Sequence, residues 1–355
     1  MTVDQANTAL AALYAADESL RVRPIDGKWS SNTEGNEGTV ELRSVVFGPP
    51  QIAAGADLSH GTDIKVTLLV LSGVAILRTK SIGAPELITK VWVFSGAATE
   101  TMGGSVNLSP STSSPDAPVL DLSNGSWSWS LLDTEDARMN LGLGFRDHLR
   151  AIPPVRYDLG TAPAGTSGQA PPTAAAPVAI TKIFESVSPL DTATVRASAA
   201  PGTAPTWNLE GIGNLSADGQ TARYTAPVRQ VQLGYGHTVI TARVADTAAR
   251  THLVCCMRTL DAVVLPDEGA EVIGGQLALK LVFVVEGEDG DEQFEKTGTE
   301  VEWTLTGQGT LTERGVYTPP EAVTEPSIAF ISGRYRLAGI LTFTGYHVVV
   351  LTAKA

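Results

Sequence analysis

Cysteine and histidine are scarce, at two and five in a chain of 355 residues. So few soft ligands exclude a Cys- or His-built metal centre, and two thiols exclude a disulfide scaffold. Positive charge is also in short supply. Twenty-five basic residues face thirty-eight acidic ones, a net charge of -13. A general nucleic-acid binder needs cations to replace phosphate counterions, so that class is excluded. Adhesion to anionic lipid through a basic surface is disfavoured on the same ground. No apolar run is long enough to span a bilayer. The longest, Val66 to Leu77, is interrupted by Thr67, Ser72 and Gly73, whereas a membrane helix needs about 20 residues. The first residues show neither a basic nor an apolar leader region. The expectation is cytoplasmic synthesis without a signal peptide, compatible with release or a leaderless export route. No Gly-x-Ser-x-Gly elbow and no phosphate-binding loop occur. A non-enzymatic protein without a cofactor is expected.

What is present is organised in blocks. Residues 1–160 carry a net charge of -6, residues 161–258 of +2 and residues 259–355 of -9. Between the first two lies APAGTSGQAPPTAAAP, residues 162–177. With no large apolar side chain, it cannot offset its ordering entropy and reads as a linker. The domains expected are 1–161, an α+β domain, then 178–258 and 259–355.

The first domain opens with a helix whose face is Ala6, Ala9, Leu10, Leu13, Ala16 and Leu20. Thr2 and Gln5 fit a capping box. Strands follow at 39–47, 64–77, 87–94 and 119–131, separated by Gly, Pro, Ser and Asn clusters. Residues 134–152 carry both helical and strand-like patterns. They are read as a helix with a Gly-rich middle, stopped by Pro153 and Pro154.

Beyond the linker the chain repeats itself. Trp207, Leu209, Gly211, Gly213, Leu215 and Gly219 align at an offset of 96 with Trp303, Leu305, Gly307, Gly309, Leu311 and Gly315. Tyr224-Thr-Ala-Pro227 then matches Tyr317-Thr-Pro-Pro320. A domain-sized period of alternating Trp and Leu implies two β-sandwiches, with the alternate positions pointing into a core and the glycines at turns. The pattern resembles bacterial immunoglobulin-like domains of adhesins and surface proteins. That resemblance specifies fold and leaves function open.

In the first domain Gly27-Lys-Trp29 leads into Gly38-Thr-Val-Glu-Leu42, then a long strand follows Gly61-Thr-Asp63, and the block closes on Pro154-Val-Arg-Tyr157-Asp-Leu-Gly-Thr161. This order resembles the tubular lipid-binding (TULIP) superfamily, in particular its bacterial branch beside clostridial neurotoxin genes and in insecticidal toxin clusters. The resemblance implies a helix, an antiparallel sheet and a helix around an acyl-chain cavity. Val66, Leu68, Val70, Trp92, Phe94, Trp127 and Trp129 would line it, and core packing is the alternative reading of the same residues. A lipid or other apolar ligand and protein partners are the partners expected. The function implied is lipid or partner binding in a toxin system. The alternative is a structural or adhesive surface or particle protein built from Ig-like modules.

Three further groups carry chemistry. The acidic run around Glu288, Asp289 and Asp291 could offer oxygen ligands to calcium, but it lacks the EF-hand order and also reads as a solvated hairpin loop. Cys255 and Cys256 are adjacent, so on a strand they point to opposite faces and read as a reduced pair with one thiol packed inside. His60, His148, His237, His252 and His347 have no second ligand at metal-binding spacing and read as strand or surface histidines.

Overall fold

The computed structural model describes residues 1–31, 36–81, 85–95, 100–112, 117–129, 131–132, 135–151, 155–161, 178–200, 202–228, 235–256, 262–266, 275–287 and 290–352. Among the described residues the chain is mainly β with two α-helices. It forms two compact units, one of residues 1–83 and 94–176, the other of residues 84–93 and 177–355. The linker read at 162–177 lies outside the described residues.

In chain order the first half contains α1 (Val3–Ala16), β1 (Ile25–Ser30), β2 (Asn36–Ile52), β3 (Asp63–Ser81), β4 (Leu87–Phe94), β5 (Thr101–Pro110), β6 (Pro118–Asp121), β7 (Ser126–Trp129), α2 (Glu135–Ala151) and β8 (Arg156–Asp158). The capping box forms as expected. Thr2 Oγ1 accepts from the Gln5 amide at 3.2 Å, and Gln5 Oε1 accepts from the Thr2 amide at 2.8 Å. The buried stripe of α1 runs through Ala6, Leu10 and Tyr14 rather than on to Leu20. Tyr14 can be buried because its hydroxyl donates to the Phe47 carbonyl at 2.8 Å. Asn7 closes the end of β2, donating to the Ile52 carbonyl at 3.0 Å and accepting from its amide at 2.7 Å.

The sheet of the first unit is antiparallel, in the order β1, β2, β3, β5, β6, β8, with β7 also on β5. Residues 135–151 form one continuous helix. Its buried side chains among those described are Ala137, Leu141, Phe145 and Leu149, at i, i+4 spacing, while Met139 and Leu143 are exposed. The apparent strand alternation therefore came from glycines, and the glycines have a packing reason. A Cβ on Gly142 would overlap the Trp127 carbonyl, and one on Gly144 would overlap the Trp29 indole. The helix lies against the sheet at a distance that only glycine permits.

The second half contains β9 (Val178–Ile180), β10 (Lys182–Val187), β11 (Thr192–Ala199), β12 (Thr206–Glu210), β13 (Asn214–Asp218), β14 (Thr221–Thr225), β15 (Tyr235–Val244) and β16 (Thr247–Cys256). These form the first sandwich. One sheet runs β13, β14, β11, β9. The facing sheet contains β12, β15, β16 and β10, with β10 parallel to β16. Val195, Tyr224, Ile240, Leu253 and Cys255 are buried between them. Segment 84–93, read in sequence as part of the first domain, belongs to this unit. It pairs antiparallel with β10, Trp92 opposite Lys182 and Lys90 opposite Glu185. Its β-rich pattern is visible in sequence, but its choice of sheet is not.

The second sandwich contains β17 (Ala262–Pro266), β18 (Leu277–Gly287), β19 (Gly290–Lys296), β20 (Glu302–Thr306), β21 (Thr310–Leu311), β22 (Val316–Thr318), β23 (Ser327–Leu337) and β24 (Leu341–Leu351). Strands β17, β18, β22 and β21 pair in one sheet, with β19 added on β18, and β20, β23 and β24 in the other. Val264, Leu281, Phe283, Tyr317 and Ile331 form its core.

The repeat builds the same device twice. Tyr224 donates to the Ile212 carbonyl at 3.0 Å, and Tyr317 donates to the Gln308 carbonyl at 2.8 Å. Each carbonyl belongs to the middle residue of a Gly-x-Gly loop. Gly213 (φ 97°) and Gly309 (φ 102°) are left-handed and lie against the tyrosine ring. Burial raises both phenols, that of Tyr317 to about 12. The tyrosine thus ties the loop between the two sheets, which explains why Trp-x-Leu-x-Gly-x-Gly and Tyr-Thr-x-Pro recur together.

Candidate functional site

Strand register brings five of the predicted lining residues onto one face of the first unit. Val66 stands opposite Gly104, and Gly104 opposite Trp127. Leu68 stands opposite Met102, and Met102 opposite Trp129. Val70 stands opposite Phe47. Residues two apart share a face, so these rows are contiguous. All five predicted residues are buried.

Aromatic rings pack together on this face. Phe145 of α2 stands edge-on to Trp127 at 5.1 Å and meets Phe47 at 5.2 Å. Phe94 packs on Trp129 at 5.5 Å. Trp127 Nε1 donates to the Leu122 carbonyl at 3.1 Å. Ring pairs at these separations supply direct cohesion in addition to their buried area. Trp92, on β4, is buried and falls in the second unit. Phe47 and Phe145, which complete it, were not singled out in the sequence. The i, i+4 spacing of Leu141, Phe145 and Leu149 was the signal that could have found the helix side.

Glu288 and Asp289 lie outside the described residues, and so does the side chain of Asp291. Strands β18 and β19 pair antiparallel up to Gly287 opposite Gly290. Among the described residues no group of three or more His, Cys, Asp or Glu could hold a metal. Cys255 is buried in the first sandwich core.

One constellation was missed in the sequence. His237 on β15 and His252 on β16 meet because the β15–β16 register places His252 opposite Val239, diagonal to His237. Nε2 of His237 and Nδ1 of His252 are 3.1 Å apart, and the rings are nearly parallel. Phe330 of the second sandwich stacks on His237 at 4.2 Å. Tyr235 meets Phe330 at 6.2 Å and Tyr346 at 5.8 Å, and Phe184 meets Tyr346 at 6.3 Å. This is the outer face of the first sandwich packed on the outer face of the second. Burial pulls both imidazoles down to about 4. For His252, His237 and Arg250 add to the effect.

On the same unit Glu185 is buried and held by Lys182 at 2.5 Å and Lys90 at 3.6 Å. In the first unit Glu41 is held by Arg43 at 2.8 Å, Lys28 at 3.4 Å and Arg78 at 3.5 Å. Burial raises the Glu41 carboxyl, but the Arg43 hydrogen bond and the cations outweigh it and leave it lowered. Among the described residues no helix is long and apolar enough to cross a membrane.

No protein-family model matches the chain, and no curated protein matches it. Among solved structures, titin domains Z1Z2 in complex with telethonin align at 12% identity and a TM-score of 0.18, covering 50% of this chain and 95% of that one. Protocadherin Gamma B7 extracellular cadherin domains 1–4 align at 10% identity and a TM-score of 0.20, covering 92% and 71%. The N-terminal four Ig domains of Dscam1 isoform 8.4 align at 9% identity and a TM-score of 0.17, covering 78% and 80%. At these scores no property of those proteins carries over.

Proposed function

We propose that the protein is non-enzymatic and structural or adhesive, built from Ig-like modules and acting through its surfaces. The observation that carries this reading is the docking of two β-sandwiches into one compact unit through an aromatic and histidine layer. Such a pair is a stiff scaffold that presents loops and sheet edges. The repeated Tyr-to-loop bond supports the same reading, because it stabilises turns rather than preparing a reactive group. In the first unit, of the residues expected to line a lipid cavity, Trp127 packs on Phe145 of α2 and Phe94 packs on Trp129. That packing favours a scaffold role for this unit over acyl-chain binding in a toxin system.

Native mass spectrometry of the purified full chain, together with glycan-array binding and analytical ultracentrifugation, tests the proposal. The expected result is a lipid-free mass with either glycan binding or self-association. Stoichiometric co-purifying lipid would instead restore the TULIP-type reading, with Val66, Leu68, Val70, Phe94, Trp127 and Trp129 as its lining.

A further inference from the structure

The layer between the two sandwiches contains two histidines, and among the described residues no carboxylate makes a hydrogen bond or ion pair with either. We propose that this layer is an acid-sensitive latch, which holds the two sandwiches together while His237 and His252 are neutral and releases them when the pair is protonated.

The geometry sets the rule. With Nε2 and Nδ1 3.1 Å apart, one nitrogen donates and the other accepts, which a neutral pair satisfies. A second added proton makes both facing nitrogens donors and breaks the bond. The first proton already meets opposition, because it places charge where burial removes hydration, and attraction to the Phe330 face returns only part of that cost. The surrounding groups do not offset that charge. From β15 the neighbour is Tyr235, and from β16 it is Arg250, a like charge. From β23 come Phe330, Ser332 and Arg334, the last 3.9 Å from Glu302, and from β24 comes Tyr346. On β10, Phe184 stands opposite His252, while Lys182 and Glu185 pair with each other. The carboxylates nearest by register are Glu185 on β10, opposite Leu253 and held by Lys182 and Lys90, and Glu210 on β12, which stands opposite Val239, diagonal to His237, and is exposed and accepts from Asn208 Nδ2 at 3.3 Å.

Once the sandwiches part, the imidazoles face water and return towards their ordinary value of 6.5. Moving from about 4 to 6.5 on release weakens docking at pH 5 by about 30-fold for each histidine, by proton linkage. At pH 7.5 the same linkage contributes almost nothing, so the latch is closed.

The test is scanning calorimetry of the full chain at pH 7.5 and pH 5. At pH 7.5 the two sandwiches should melt in one cooperative transition, and at pH 5 in two. The double variants His237→Gln with His252→Gln, and His237→Phe with His252→Phe, should keep a single transition at pH 5. A single transition in the wild type down to pH 4, or splitting of a folded double variant at the wild-type pH, would overturn the proposal. Ring NMR of the wild type gives an independent reading if neither variant folds. Titration of both rings below pH 5 supports the latch, and ordinary titration near 6.5 with unchanged melting sinks it.

Discussion

The substitution Gly142→Ala gives the sharpest test of how the first unit is packed, because ordinary helix propensity and this structure predict opposite signs. In an exposed helix interior, glycine to alanine gains about 1 kcal/mol. Here the new methyl would occupy the position of the Trp127 carbonyl, which is backbone on a sheet strand. Neither the carbonyl nor the strand can rotate away as a flexible side chain would. The helix must therefore lift, loosening the contacts that Phe145 makes with Trp127 and Phe47. Overpacking of this kind costs roughly 1–3 kcal/mol, and a clash with backbone falls at or above the upper end. The expected net result is a loss of about 2 kcal/mol or more after the propensity gain. Urea unfolding followed by tryptophan fluorescence reads it, because Trp29, Trp127 and Trp129 all lie in this unit. Leu143→Ala, on the exposed side of the same helix, should change stability by less than about 0.5 kcal/mol. A Gly142→Ala protein as stable as the wild type, or more stable, would refute the close approach of helix and sheet.

Phe145→Ala should cost about 3–5 kcal/mol in the same assay, because it empties the centre of the aromatic cluster. Tyr317→Phe should lower the stability of the second sandwich by about 1–2 kcal/mol in calorimetry, by leaving the Gln308 carbonyl without its hydroxyl partner. Tyr224→Phe should do the same in the first sandwich. Glu41 contributes stability that is present above the ordinary carboxylate range, because its folded pKa is lowered. That contribution is lost as pH falls through the folded value, so Glu41→Gln should flatten the acid limb of a stability-versus-pH curve.

Much of the architecture was legible in local pattern. The alternation of Trp207 with Leu209 and of Trp303 with Leu305 indicated strands facing a core, and both pairs pack against sandwich cores. The capping box at Thr2 and Gln5 was written in adjacent residues and formed as read. Helix α2 was harder, because Gly142 and Gly144 mimic a period of two until the surface they lie against is known. What sequence could not supply was register and sheet choice. His237 and His252 are fifteen positions apart and meet only through the β15–β16 pairing. Residues 84–93 carry a strand pattern, but their long-range pairing with β10 cannot be read from it. The predicted lining residues were found as a face, but their covering by Phe145 depends on how closely α2 approaches the sheet.

The packed layer between the sandwiches has a consequence for assembly that follows from symmetry. By register, Leu209 opposite Ile240 corresponds to Leu305 opposite Ile331, so β15 and β23 are equivalent strands of the two copies. Each copy therefore offers the same outer sheet face to the other, as two subunits do across a two-fold axis. His237 and His252 occupy the positions that Ile328 and Val348 hold in the second copy. A contact of this kind is closed: it uses up the self-complementary face of both copies within one chain. It leaves no open end through which further molecules could add by that face, so any fibre or particle lattice must grow through other surfaces. The exposed Ile340 and Leu341 at the β23–β24 turn are outside the closed contact.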